Sequence, residues 1–121
     1  MSKQDLTFFG QRVLFLGAHP DDIEIGCGAL IAHIAAKTEI FCATLSDNQK
    51  NPELIDLVEE HYEAMAILGV TRENIALGTF ETRRFPHFRQ EILEYMIQVN
   101  RSFKPDIILS LIHISEPTRP Y

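Results

Sequence analysis

Val13-Leu14-Phe15-Leu16-Gly17-Ala18-His19-Pro20-Asp21-Asp22-Ile23-Glu24-Ile25-Gly26-Cys27-Gly28 runs four apolar residues into a glycine, then a histidine, a proline and two adjacent carboxylates. A periodic apolar segment follows. A short apolar run bounded by turn residues and then a helical period reads as a buried strand feeding a helix. In α/β units of this kind, function collects where strand carboxyl ends open into the cleft. His19, Pro20, Asp21 and Asp22 fall at that place.

Working outward, residues 1–10 read as a loose lead-in and 11–17 as the first strand. Residues 23–36 read as a helix, with Ile23, Cys27, Leu30, Ile31 and Ile34 at helical spacing. Residues 39–45 form a second apolar strand, so the unit is a right-handed crossover between parallel strands. Residues 52–68 read as a helix with a stripe of Leu54, Leu57, Val58, Tyr62, Met65 and Leu68, closed by Gly69. His61 lies beside that stripe and reads as a helix-face histidine rather than a ligand. Residues 73–78 read as a third strand. Pro86 opens a helix to about Phe103, and a fourth strand starts at Pro105. The expected architecture is α/β, a parallel sheet of about four strands with helices on both faces.

The turn has its own chemistry. His19 and Asp22 offer an imidazole nitrogen and a carboxylate oxygen, both good zinc ligands, and a catalytic zinc takes three protein ligands and a water. Asp21, between them, is placed to act as general base on a metal-bound water. Two readings compete. Asp and Pro at a helix start are ordinary capping residues. Gly17, Gly26 and Gly28 suggest a nucleotide-binding module, but they do not space as G-x-G-x-x-G, and two carboxylates at the helix mouth repel a pyrophosphate.

The chain has 121 residues, room for one domain, with a net charge of -6 from 17 acidic and 11 basic residues. An acidic chain with no basic cluster gives no electrostatic case for nucleic acid. No run reaches the length of a membrane span, and the first ten residues do not read as a signal peptide. Cys27 and Cys42 lie in apolar runs and read as free thiols of a reducing compartment, so cytoplasmic residence is the default expectation. Nothing in the pattern sets an oligomeric state.

The stretch from Gly17 to Gly28 closely resembles the first motif of the PIG-L/LmbE-like de-N-acetylases, with Ala29 where that family often has another glycine. The resemblance implies a Rossmann-like fold and a zinc-dependent amide hydrolase that removes acetyl from N-acetylglucosamine-type conjugates. It makes His19 and Asp22 metal ligands and Asp21 the general base. It also places the loop Ser46-Asp47-Asn48-Gln49-Lys50-Asn51 on the substrate pocket, where Asp47 and Asn48 can hydrogen-bond sugar hydroxyls. A solvated Asx-rich turn reads the same way. The segment around Arg83 and Arg84 resembles a branch of the family, and an arginine there can hold a substrate anion in bidentate fashion. Surface pairing with Glu81, Glu91 and Glu94 is the rival reading.

A complete family member continues after the fourth strand into an H-x-x-H motif, which brings the third ligand and a histidine near the developing oxyanion. Here Leu109-Ser110-Leu111-Ile112-His113-Ile114-Ser115-Glu116-Pro117-Thr118-Arg119-Pro120-Tyr121 contains no such motif. Residues 109–119 are similar to a translation of a common sequencing-library transposon adapter. The expectation is therefore a C-terminally truncated domain over 1–108, with 109–121 a non-native tail whose stretch from Leu111 on packs poorly. An inactive fragment lacking its third ligand is the second functional reading.

Overall fold

Strand β1 (Arg12–Gly17) is buried on both faces, which is why it reads as an unbroken apolar run rather than an alternating one. The computed structural model describes residues 11–47, 56–81 and 84–112. In order, the elements are β1, α1 (Asp22–Ile34), β2 (Glu39–Thr44), α2 (Leu57–Leu68), a 3-10 turn (Arg72–Asn74), β3 (Ile75–Leu77), a second 3-10 turn (Phe85–Phe88), α3 (Arg89–Phe103) and β4 (Ile107–Ser110). The sheet order is β3-β2-β1-β4, and every pairing is parallel. Val13 pairs with Ile40 on one side and Ile107 on the other, so β1 is the strand from which the order departs in both directions. The crevice beyond such a strand is where open α/β sheets bind their ligands.

The alternate side chains of β1 build the two layers. Val13 and Phe15 join Ile40, Cys42 and Ile75 under Ile23, Ile31 and Ile34 of α1 and Met65 of α2. Leu14 and Leu16 join Ala43 under Val99 and Phe103 of α3. Helices therefore cover both faces, as the sequence leads one to expect. Cys27 and Cys42 are free thiols, and burial pushes both upward in pKa. At the amino edge, Arg12 ties three elements together. Its backbone N–H donates to Asp106 at 3.0 Å, its Nε to the Phe103 carbonyl at 2.8 Å, and its guanidinium pairs with Glu39.

Helix boundaries follow local chemistry. Gly69 ends α2 in the left-handed region (φ 101°), and the Val70 N–H closes on the Met65 carbonyl at 2.9 Å. The residues 52–55 expected to open this helix lie outside the described residues. Pro86 starts a 3-10 turn rather than α3 itself. Arg84 and Phe88 sit outside helical geometry at either end of that turn, and α3 begins at Arg89. Leu109 and Ser110 continue β4 in register with Phe15 and Leu16. Leu111 donates its N–H to the Leu16 carbonyl at 2.8 Å and packs on the α1–α2 side, and Ile112 packs on the α3 side. Leu111 and Ile112, the described part of the stretch expected to pack poorly, are thus half-buried against the two layers. Residues 113–121 lie outside the described residues.

Two glycines predict opposite outcomes. A Cβ at Gly78 meets the Leu45 carbonyl oxygen at 2.5 Å, where the chain runs close enough for Gly78 and Phe80 to bond the carboxyl end of β2. A Cβ at Gly28 meets only Leu68, at 3.7 Å. Gly78→Ala is expected to cost about 1–3 kcal/mol through overpacking, and Gly28→Ala to gain about 0.5–1 kcal/mol through helix propensity. Urea denaturation of the two variants checks the signs; a stabilised Gly78→Ala contradicts the close approach.

Candidate active site

The site begins with two backbone hydrogen bonds. At the end of β1 the N–H groups of Ala18 and His19 both donate to Asp22 Oδ2, at 3.1 and 2.9 Å. Asp22 thus reaches back from the first residue of α1 to organise the turn before it. Charge-assisted bonds of this kind are among the stronger hydrogen bonds. Gly17 lets the turn close, since a Cβ there lies 3.0 Å from Ile23 Cγ1. The geometry brings His19 Nδ1 to 3.6 Å from Asp22 Oδ2. The His19 ring stacks on Phe85, centroids 5.7 Å apart and planes 22° from parallel.

Asp21 is the N-cap residue of α1, with φ 77° and ψ -16° in the left-handed region. Its side chain makes no cap hydrogen bond, so the capping reading does not hold for it. It is exposed at the mouth of the turn. Partial burial, then the charges of Asp22 and Glu24, raise its pKa above the ordinary aspartate value, while His19 and His61 pull the other way. A carboxylate with raised proton affinity is a better base.

The sheet brings a second strand end to the same edge. Leu45 and Ser46 donate to the carbonyls of Gly17 and Ala18 at 3.0 and 2.9 Å, so half-buried Asp47 follows directly beside the His19 turn. Asn48 and Arg83 lie outside the described residues. Arg84 is exposed and pairs with Glu81 at 3.5 Å, the surface pairing that rivalled anion binding. Below this edge, the Tyr95 hydroxyl donates to the Thr44 carbonyl at 2.9 Å, and burial pushes its pKa up to about 12.

The donor set suits a zinc ion in kind. A tetrahedral site with bonds of 2.0–2.1 Å has edges of about 3.4 Å, close to the His19–Asp22 separation of 3.6 Å. Among the described residues no third His, Cys, Asp or Glu completes a group able to hold a metal ion.

Two contributions escape a reading of the sequence. One is Phe85 under the His19 ring. The other is His61, which is 1% exposed and bonds Glu24 through Nδ1 at 2.8 Å, rather than lying beside the apolar stripe. Its spacing of four from both Leu57 and Met65 is the signal that places it on the buried face.

An imidazole and neighbouring carboxylates gather at the carboxyl end of the pivotal strand, at the switch point of an open parallel α/β sheet. A family model described as PIG-L: GlcNAc-PI de-N-acetylase matches residues 14–118, and the chain belongs to that family. It is 41% identical over 73 residues to the uncharacterized deacetylase YaiS of Escherichia coli (strain K12), covering 59% of this chain and 39% of that protein. Its fold is similar to that of the N,N'-diacetylchitobiose deacetylase from Pyrococcus horikoshii complexed with its inhibitor MPG. That match has a TM-score of 0.72 and 22% identity, and covers 88% of this chain and 42% of that one. The conserved protein TT1542 from Thermus thermophilus matches with a TM-score of 0.61 and 24% identity, over 81% of this chain and 45% of that one. The chain thus spans less than half the length of each of these relatives. Among the described residues no helix is long and apolar enough to cross a membrane.

Asp21 predicts a stability cost with a definite sign. Its folded pKa lies above the unfolded value, so its ionisation opposes folding once pH exceeds the ordinary aspartate range. Asp21→Asn keeps a residue type that tolerates the left-handed region. In the metal-free chain it is expected to raise the urea midpoint slightly at pH 7, with the gain shrinking toward pH 4 as Asp21 protonates in both states. A lower midpoint at pH 7 contradicts this.

Proposed function

We propose that the chain carries the catalytic turn of a zinc-dependent N-deacetylase acting on N-acetylglucosamine-type conjugates. The supporting observation is the approach of His19 Nδ1 to Asp22 Oδ2, 3.6 Å, beside the strained Asp21, in a member of the PIG-L family. In this reading His19 and Asp22 hold the ion and Asp21 is the general base. The ion, when bound, polarises the acetamide carbonyl and makes a water acidic enough to lose its proton near neutral pH. The protein's own residues supply the rest. Asp22 is oriented by the Ala18 and His19 amides, which hold its carboxylate in place beside the His19 ring. Phe85 fixes the plane of the His19 ring. Asp21 takes the water's proton and returns it to the amine that leaves. Asp47, Asn48, Arg83 and Arg84 are the proposed contacts to the sugar conjugate. Cytoplasmic residence goes with this reading and with the two free thiols.

Ligand count favours a second reading, an inactive fragment. Two of the usual three protein ligands are present among the described residues. Residues 109–121 are then a non-native tail, and the third donor belongs to a segment after β4. Under this reading the 121-residue chain takes up zinc weakly and releases little acetate from an N-acetylglucosamine conjugate. A version carrying a histidine motif after β4 is expected to release it, and Asp21→Asn in that version to lose at least about a hundredfold in kcat. Zinc titration and an acetate-release assay decide between them. Full turnover by the 121-residue chain, lost in its Asp21→Asn variant, removes the fragment reading. An Asp21→Asn variant as active as its parent removes Asp21 as the base.

A further inference from the structure

Glu24 and His61 form a buried pair that the chemistry above does not use. Glu24 lies in the first turn of α1, two residues after Asp22, and His61 lies within α2. His61 Nδ1 is 2.8 Å from Glu24 Oε2, with the two side chains 0% and 13% exposed. Their other polar atoms, His61 Nε2 and Glu24 Oε1, are buried and make no hydrogen bond among the described residues. A buried polar pair satisfied on one side only contributes less stability than apolar side chains of the same volume in the same place. Its value to the fold is therefore poor, and its position points elsewhere.

The first turn of α1 is held weakly by its own sequence. It has no side-chain cap bond, and Gly26 and Gly28 follow within the helix, where glycine is the weakest former after proline. Ile23, fully buried, sets the depth of the turn against the sheet. The bond from Glu24 to His61 reaches sideways to α2 and opposes rotation of α1 about its own axis. That rotation carries Asp22 away from the Ala18 and His19 amides. We propose that Glu24 and His61 are positioning residues that lock the first turn of α1 to α2 and so hold the Asp22 carboxylate in the pose that faces His19. The inference deepens the proposed function, resting on it for the role of Asp22 as a ligand.

The test is amide hydrogen exchange on the metal-free 121-residue chain, with zinc titration in parallel. In Glu24→Leu/His61→Leu the urea midpoint is expected to equal or exceed the parent's. The Ala18 and His19 amides are nevertheless expected to exchange roughly tenfold faster, while core amides such as Phe15 keep their protection. Glu24→Gln, which keeps an acceptor for the imidazole, is expected to restore parental exchange at both amides. Glu24→Ala, which leaves the core imidazole in place, serves should the double variant fail to fold, with the same contrast expected. Unchanged exchange at Ala18 and His19 overturns the inference. So does faster exchange spread evenly over the core with a lower midpoint, since that is a purely structural role. Weaker zinc uptake by the double variant than by the parent supports the link to ligation. A parent that takes up little zinc, as the fragment reading expects, while the exchange contrast persists still upholds the positioning of Asp22.

Discussion

One carboxylate oxygen, Asp22 Oδ2, accepts the N–H groups of both Ala18 and His19 and so fixes how the chain leaves its pivotal strand. Without that bond two amides at a strand end need other partners, and a buried donor left unpaired costs about 1–3 kcal/mol. With it, the end of β1, the His19 ring and the start of α1 become one rigid piece. The ring's far side then meets Phe85, which belongs to the segment between β3 and α3. Both layers of the molecule thus contribute to a single turn.

The same turn concentrates charge against stability. Asp21, Asp22 and Glu24 crowd the amino end of α1, where the helix dipole favours anions, yet partial burial and then these two neighbours raise the proton affinity of Asp21. Its backbone is also held in the left-handed region, which few side chains tolerate well. A residue both electrostatically and conformationally disfavoured, just past the end of the pivotal strand, is a usual mark of a site kept for chemistry rather than for folding.

Strands and helix order are largely legible from hydrophobic pattern, because residues 13–16 of β1 and 40–43 of β2 are unbroken apolar runs and α1 and α2 carry stripes at helical spacing. The boundaries near residues 72–74 and 85–88 are not. There 3-10 turns replace the start of a strand and of a helix, since such turns depend on a few dihedral angles rather than on periodicity. In the site, His19, Asp21 and Asp22 stand out because they are contiguous. Phe85 and His61 do not, since each acts across a distance in sequence that a single chain's pattern does not encode. Arg84 is legible in the sequence only as part of a basic cluster, and its pairing with Glu81 is a contact that the fold adds.

The sheet order also sets the tempo of self-assembly. β1 meets β2 across a short crossover, but its other neighbour is β4, and the Arg12–Asp106 bond beside that pairing spans 94 residues of chain. Contacts of such long range form slowly, because loop closure must precede their reward. A ribosome delivers β1, α1 and β2 long before β4 exists. The crossover, and with it the Asp22 turn, can therefore settle on one side while Val13 to Leu16 still present an unpaired strand edge to solvent. The chemistry of the turn is thus laid down early, and protection of the strand that carries it comes last.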